Sequence, residues 1–446
     1  MGLLLGGFMK IVELKAEEFD SYAKAHDYSN PWQTSNFGKA AEALGYNTMY
    51  LGIEDGGSIK GCTLLLTKSA YLGQSISYAP RGPLIDFDDY KFTEKALKML
   101  KDYLNDKKIM SFTMDPPVIL SVRNSHGELK QDSSGVDKKL DAILHGGDVV
   151  KANPYARNII EVIRRKANYE YRGENLYFEA ILPRWYAITT LPINARTLLS
   201  KIDKRARTKL RKAAKLGIEI LRDDTKDIKN IYNITKECFN RPIEYYQNFI
   251  ENNEDCEVYL ARINSEKYVN NSKVLYEREI EKNEVINRRI QQRNNKGRSM
   301  QKLINQKMES DKIINSYKEH LVQSTQTLKD YPNGKIIAVC IVTKSGNNIS
   351  IFEDCYLKEH HNLPAIALLR WKILEHYSNS NFRTFNFGAI TGNFNKKENK
   401  MYGLNSARLS LRGNVLEYIG EFGVMTNKTM YNLYQASVRE RVNFKI

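Results

Sequence analysis

The sequence predicts a mixed α/β fold (α+β) built from two similar units, the second of which carries an inserted helical arm. The order hairpin, loop, helix and strand occurs between Thr48 and Met114 and again between Lys335 and Gly388. Between these stretches, residues 265–329 contain no Pro and a single Gly and are dense in polar residues. A chain of 446 residues, 42% of them hydrophobic, is long enough for two or three domains.

The first unit is predicted from apolar and alternating runs that end at turn residues. Strands are predicted at Thr48–Ile53, Ile59–Leu66, Ser75–Tyr78 and Ile109–Met114. Glu54–Gly57 is the hairpin turn between the first two of these strands. Phe92–Leu104 has apolar residues at helical spacing and precedes the last strand.

The second unit repeats this order after the arm. Strands are predicted at Lys335–Thr343, Ile349–Glu353 and Phe382–Phe387, with a turn at Ser345–Asn348. A helix opens after Asn362–Pro364 and contains Ile366, Leu369, Trp371 and Leu374. The recurrence suggests an ancient duplication of one α/β unit.

The arm, residues 265–329, is broken only at Asn294–Gly297. In its second half Met300, Ile314, Leu321 and Leu328 follow a seven-residue spacing with one position skipped, and Leu303 and Tyr317 form a second partial seam. Such a thin apolar stripe favours an antiparallel coiled-coil hairpin that projects into solvent. The alternative is a disordered, charged insertion.

The chain is strongly basic, with 68 Lys plus Arg against 52 Asp plus Glu and a formal net charge of +16. An excess of this size suits a polyanionic partner such as tRNA, a phosphorylated glycan precursor or an anionic membrane face. The alternative is a generally basic, solvated surface.

The cysteines and the apolar runs indicate the cellular compartment of the protein. The five cysteines are scattered without a C-x-x-C pair, so we expect neither a zinc site nor a disulfide framework, and a reducing cytosol. Met1–Phe8 lacks a basic start and is too short to span a bilayer. No other apolar run reaches transmembrane length, so we expect membrane contact to be peripheral.

The densest charge precedes the arm, in one helical stretch that ends at Gly217 and has Asp203 as its single acid. Its cations are Lys201, Lys204, Arg205, Arg207, Lys209, Arg211, Lys212 and Lys215. Apolar residues including Ala206, Leu210 and Ala213 give the helix a face that packs on the body. We interpret the opposite face as a phosphate-binding surface, and the alternative is a solvated face.

A set of motifs in a fixed order resembles the Fem family (FemABX). They are Trp32-Gln33-Thr34-Ser35, Tyr78-Ala79-Pro80-Arg81-Gly82-Pro83, Asp115-Pro116, Pro183-Arg184, Arg207 to Ala213 with Gly217-Ile218, Arg241-Pro242 with Tyr245-Tyr246, Asn386-Phe387-Gly388, Tyr402-Gly403-Leu404 and Tyr418 to Phe422. The resemblance covers essentially the whole chain, including the arm.

The resemblance implies two GNAT-like domains (the acyl-CoA N-acyltransferase fold), which we place at 1–182 and 183–446, the second interrupted by the hairpin at 265–329. It implies a cytoplasmic enzyme that takes an amino acid from aminoacyl-tRNA. The acceptor would be the side-chain amine of the stem peptide of a peptidoglycan precursor, lipid II or UDP-MurNAc-pentapeptide. Amine attack on an ester needs no metal or other cofactor, and none is expected.

The same resemblance assigns candidate roles to residues. The family commonly has Phe-Lys shortly after its Tyr-Gly-Leu motif, where this chain has Ala407-Arg408, so Arg408 is the catalytic candidate. Substrate binding is expected of Gln33, Lys39, Tyr78, Arg81, Arg211, Arg241 and Tyr245, and tRNA binding of Lys204, Arg205, Arg207, Lys209 and Lys212. A basic residue common in the family's first helix is Ala41 here, with Lys39 half a turn away. Arg81 has a structural alternative, in which it ties its Pro-rich turn to a carboxylate.

Two other functions remain open from the sequence. One is a GNAT-fold acyltransferase that uses acyl-CoA, which the missing glycine-rich pyrophosphate loop disfavours. The other is a non-catalytic, basic RNA-binding or scaffold protein, which the change from Phe-Lys to Ala407-Arg408 leaves possible.

Overall fold

The structure is a computed structural model that describes residues 9–129, 151–292, 298–411, 413–437 and 444–446. The described strands are β1 (Lys10–Glu13), β2 (Asn47–Asp55), β3 (Ser58–Tyr71), β4 (Gln74–Ala79), β5 (Ile109–Met114), β6 (Ile119–Arg123), β7 (Lys151–Ala152), β8 (Glu170–Arg172), β9 (Trp185–Thr190), β10 (Ile218–Arg222), β11 (Cys256–Ile263), β12 (Lys335–Ser345), β13 (Asn348–Tyr356), β14 (Thr384–Ile390), β15 (Asn414–Tyr418) and β16 (Glu421–Met425).

The described helices are α1 (Ala16–Ala25), α2 (Ser35–Glu42), α3 (Tyr90–Asp106), α4 (Ala156–Glu161), α5 (Ala195–Lys201), α6 (Lys204–Lys215), α7 (Ile228–Thr235), α8 (Ile243–Ile250), α9 (Ser265–Gln292), α10 (Arg298–Asp330), α11 (Ala365–Tyr377), α12 (Tyr402–Leu409) and α13 (Lys428–Ser437). Two of the described helices, α3 and α11, begin close to the predicted places. A π-helical turn covers Val162–Lys166 and a 3-10 turn covers Lys358–His360.

Two sheets repeat one strand order. In the described residues the first runs β1-β2-β3-β4-β5-β16-β8 and the second runs β10-β11-β12-β13-β14-β9-β15-β6-β7. Along β1–β5 and β10–β14 the neighbours are antiparallel, except for the last pair of each run, which is parallel. A helix, α3 or α11, connects the two parallel strands of each sheet, as such a pair requires. The repeated order read from the sequence is therefore present in the sheets.

The two sheets exchange strands. β6 precedes the second unit in the chain yet pairs with β15 in the second sheet, where β7 in turn pairs with β6. In the other direction β16, near the end of the chain, pairs with β5 in the first sheet. The division between residues 182 and 183 stays a prediction.

One core joins the two units. It contains Phe37 of α2 and Leu64 of β3 from the first unit, together with Phe249 of α8 and Cys355 of β13 from the second. The rings of Phe37 and Phe249 meet edge to face with their centroids 6.4 Å apart. Burying each such side chain stabilises the folded state by about 1.5–3 kcal/mol, so this core fixes the position of α8 against the first unit.

The arm consists of α9 and α10, inserted between β11 and β12. Contacts pair an early residue of α9 with a late residue of α10: the Tyr268 hydroxyl is 3.0 Å from His320 Nδ1, and Ser310 donates to Glu279 at 2.8 Å. The helices are therefore antiparallel. Coiled-coil packing of the two helices stays a prediction. The turn predicted at Asn294–Gly297 lies outside the described residues.

The buried side of α10 differs from the predicted main seam. Met300, Ile314, Leu321 and Leu328 are half-buried, whereas Leu303, Ser310 and Ser324 are buried. Leu303, Ser310, Tyr317 and Ser324 share a seven-residue spacing, and Tyr317 is half-buried. The predicted secondary seam, Leu303 with Tyr317, therefore lies on the more buried side of α10. Two of the four residues at this spacing are serines, so a count of apolar residues ranks this side of the helix below the predicted main seam.

Two expectations from the sequence are wrong. The basic stretch is two helices, because Ile202 and Asp203 are non-helical and the Asp203 carboxylate caps α6 by accepting from Arg205 N at 2.7 Å; Lys201 belongs to α5. A disulfide joins Cys238 to Cys355, which lie 117 residues apart in the chain. Only the packing of the chain after α7 against β13 brings these cysteines together, so their spacing gave no signal.

Candidate functional site

A cavity of about 210 Å³, the smaller cavity, lies where β13 and β14 separate. The two strands pair in parallel only from Asn348 to Ser350 and from Thr384 to Asn386. Each strand then has a register irregularity, in β13 at Phe352 and in β14 at Phe387. Bulges re-aim side chains, and here Phe352, Glu353 and Asp354 all line the opening.

Arg408 enters the smaller cavity from α12. Asn405, on the same helix, anchors α12 to the end of β14: its side chain accepts from Thr391 N and donates to Thr391 O, both at 2.9 Å. The Arg408 guanidinium donates to the carbonyl of Ala389 and lies 3.6 Å from Asp354. Its Nε is buried without a hydrogen-bond partner in the described residues, so one donor is left for a ligand.

Gly388 makes room for this guanidinium. A Cβ atom at residue 388 would lie 3.1 Å from Arg408 Cζ, and the φ angle of +99° is one that L side chains rarely adopt. The Asn-Phe-Gly motif noted in the sequence therefore serves the close approach of Arg408 to the backbone of β14.

Asp354 connects Arg408 to a second arginine. Both Nε and Nη2 of Arg370, on α11, lie 2.6 Å from Asp354 Oδ2. Burial alone would raise the pKa of Asp354, but the guanidiniums of Arg370 and Arg408 outweigh it and hold that pKa below its usual value. Burial lowers the pKa of Arg408, with Asp354 opposing the effect. The carboxylate is therefore ionised at neutral pH and fixes the position of Arg408.

Arg241 and Tyr245 lie on another wall of the smaller cavity. Arg241 pairs with Glu353, and its Cζ is 4.5 Å from the centre of the Tyr245 ring. The Tyr245 hydroxyl is buried without a described partner, and burial raises the pKa of Tyr245. The phenol therefore stays protonated and is a second donor available to a ligand. The structure thus brings together Arg408, Arg241 and Tyr245.

Gln33, Tyr78 and Arg81 belong to a buried network in the first unit instead. Tyr78 donates to Asp115 at 2.8 Å, and Arg81 Nη1 lies 2.6 Å from the same carboxylate. Arg81 also donates to the carbonyl of Pro183. Gln33 donates to Pro80 O at 2.7 Å and accepts from Leu64 N at 2.8 Å.

Arg81 is only 1% exposed. Its contacts are those of the structural alternative, in which it ties the Pro-rich turn to a carboxylate. A role in substrate binding stays a prediction for these three residues.

A larger cavity, of about 800 Å³, lies on the other side of α12. Arg205, Lys209 and Lys212 of α6 line one wall, and Tyr402 and Ser406 of α12 line the opposite one. Arg370 also borders it, while its partner Asp354 borders the smaller cavity. The helix α12 and the Asp354–Arg370 pair therefore separate the two cavities, with Arg408 at the boundary.

The remaining candidates lie outside these two cavities. Lys204 and Arg211 are exposed on α6, and Arg207 donates to Ser200 O at 3.0 Å. Lys39 is exposed on α2, where its carbonyl accepts from Asn248 at 2.9 Å. Asp354 and Arg370 were not predicted as site residues, because no local spacing relates β13 to α11.

The comparisons with known proteins identify relatives. The FemAB family model matches residues 14–439. A lipid II:glycine glycyltransferase of Staphylococcus epidermidis is 21% identical over 439 residues, covering 96% of this chain and 95% of that protein. The protein of that name from Staphylococcus aureus is 22% identical over 450 residues, with the same coverage. A solved structure, the crystal structure of FemX, matches with a TM-score of 0.65 at 18% identity, over 95% of this chain and 99% of that one. Among the described residues, no helix has the length and apolarity to cross a membrane.

Proposed function

Because the chain belongs to the FemAB family, we propose that it is an aminoacyltransferase that extends the stem peptide of a peptidoglycan precursor. The related proteins named lipid II:glycine glycyltransferase support this activity class and a lipid II-like acceptor. The donor in the proposal is an aminoacyl-tRNA, and the place of action is the cytoplasm, with contact to the inner membrane face where the acceptor is lipid-linked.

One observation supports the proposal most strongly: Arg408 and Tyr245 line the same cavity, and among the described residues neither Arg408 Nε nor the buried Tyr245 hydroxyl has a hydrogen-bond partner. When an amine attacks an ester carbonyl, negative charge develops on the carbonyl oxygen. A fixed donor aimed at that oxygen is typically worth about 2.7–4 kcal/mol of transition-state stabilisation. Arg408 does not need to titrate for this purpose, because its Asp354 partner keeps the cation in place.

The two cavities suit two substrates. The larger cavity faces the cations of α6, which suits the phosphates and terminal nucleotides of a charged tRNA. The smaller cavity carries Arg241, Tyr245 and the aromatic ring of Phe352, which suits the stem peptide. Because α12 separates the cavities, the ester and the amine would meet beside Arg408.

The experiment that tests the function offers the intact protein a panel of charged tRNAs with lipid II or the UDP-linked precursor, and weighs the product. The expected product is heavier than the precursor by one amino-acid residue. Acetyl-CoA and longer acyl-CoA donors serve as the matched comparison. Transfer from acyl-CoA without transfer from any charged tRNA would replace this proposal with the acyl-CoA-dependent alternative.

A further inference from the structure

The connection between α7 and α8, residues 236–242, is tied to β13 by two cysteines. Cys238 lies in this connection and is exposed, whereas Cys355 on β13 is buried. Their Cα atoms are 6.0 Å apart, a separation that a disulfide bridges. The same connection carries Phe239 and Arg241, which line the smaller cavity. The cysteine pair therefore acts on a segment that forms part of the site.

The disulfide and the Arg241–Glu353 ion pair are neighbouring contacts between residues 236–242 and β13. Cys355 and Glu353 are two residues apart beyond the bulge of β13, so their side chains leave the same face of the strand. Glu353 holds Arg241 while Cys355 holds Cys238, three residues earlier in the connection. Removing the covalent tie leaves Arg241 held at this strand by a single ion pair.

The surroundings of Cys355 also suit a reduced thiol. The Cys355 sulfur lies 3.1 Å from Ile234 O, so a thiol at residue 355 has a hydrogen-bond acceptor in place. The other three cysteines of the sequence, Cys62, Cys256 and Cys340, are buried, and burial raises the pKa of each thiol. Of the five cysteines, all described in the structure, Cys238 is the exposed one that an external reagent can reach.

We propose that Cys238 and Cys355 form a reversible redox clamp that sets the affinity of the smaller cavity for its ligand, an inference that rests on the proposed function for that ligand's identity. The oxidant is a small-molecule disulfide. The Cys238 thiolate attacks it, breaking its sulfur–sulfur bond and releasing one thiol. The Cys355 thiolate then displaces the second thiol from the mixed disulfide. Two protons and two electrons pass from the protein to the small disulfide.

The test compares the intact protein equilibrated with glutathione disulfide or with dithiothreitol. Native maleimide labelling followed by mass spectrometry reports whether Cys238 is free, and calorimetric titration with UDP-MurNAc-pentapeptide reports affinity. The oxidised protein is expected to bind about tenfold more tightly, because the Phe239–Arg241 segment is then ordered before binding. A Cys238→Ser variant is expected to show the weaker affinity in both media.

Equal affinity in the two media, with the disulfide shown to form, overturns the proposal; so does a Cys238→Ser variant that still responds to the medium. If UDP-MurNAc-pentapeptide binds in neither state, the soluble acceptor is excluded, the transfer assay with lipid II decides about the proposed function, and hydrogen exchange of residues 236–242 decides about the clamp. Slower exchange in the oxidised protein then supports the clamp, and identical exchange overturns it.

Discussion

At the scale of single residues, Arg408 is the group whose replacement is most informative. Arg408 lines the smaller cavity, and its Nε is a buried donor without a described partner, while Ala389 and Asp354 hold the rest of the guanidinium. We expect Arg408→Ala to lower the single-turnover transfer rate about a hundredfold or more, since one fixed donor is typically worth that much. Arg408→Lys keeps the charge and is expected to retain much of the rate. An Arg408→Ala rate close to that of the parent would mean that positioning alone drives transfer.

Arg81 makes a second residue-scale prediction. Its removal leaves the Asp115 carboxylate buried without its cation, and breaking such a pair costs about 3–5 kcal/mol. We therefore expect Arg81→Ala to lower the free energy of unfolding by that amount in denaturant titrations.

The control for Arg81 is Arg165→Ala, because Arg165 pairs with Glu161 at the surface and exposed pairs contribute about 0–1 kcal/mol. An Arg81→Ala protein as stable as the parent but unable to bind the precursor would instead favour the substrate-binding role.

The sequence and the structure differ most at residues whose partners come from distant elements. Arg408 was predicted because its motif resembles a family pattern. Asp354 and Arg370, which position it, lie on β13 and α11 and meet only after the sheet forms. No local spacing in the sequence indicates such a pair, whereas the position of positive φ in β14 that admits Arg408 is marked in the sequence by Gly388.

At the scale of elements, α6 carries the electrostatic prediction. Arg205 and Lys209 border the larger cavity, and Lys204 is exposed on the same helix. If they contact tRNA phosphates, neutralising all three with Gln should weaken tRNA binding and flatten its salt dependence. The slope of log K against log salt should fall by about 0.7–0.9 for each lost contact.

The control for α6 neutralises Lys229, an exposed lysine on α7. It is expected to leave the salt slope unchanged. An unchanged slope in the triple α6 variant would indicate that α6 is a solvated basic face that does not contact tRNA phosphates.

Strands and helices were predicted best where a single feature of the local sequence determines them. Apolar runs and turn residues located β2 to β5 and β12 to β14, because these strands are largely buried or half-buried and have Gly, Asn or Pro near at least one end. The break between α5 and α6 was missed, because Asp203 is a helix-capping residue that a continuous run of cations conceals.

At the scale of the whole molecule, the repeated units were visible in the sequence but their exchange of strands was not. β6 and β16 each cross to the other sheet, so the units are bound together by backbone pairing as well as by the shared core around Phe37 and Phe249. Strand exchange depends on pairing between segments that are distant in the sequence. Neither the hydrophobic periodicity nor the amino-acid composition of a segment indicates its partner strand.

The proposed mechanism requires that the two cavities hold different substrates and present both at Arg408. The single-turnover transfer rate, measured as a function of precursor concentration and of charged-tRNA concentration, distinguishes the two cavities. We compare the parent with Arg241→Gln, in the smaller cavity, and Lys209→Gln, in the larger one. Arg241→Gln is predicted to raise only the half-saturating precursor concentration, and Lys209→Gln only that of the tRNA. The reverse pattern, or equal effects of both variants on both substrates, would show that the cavities do not divide the substrates in this way.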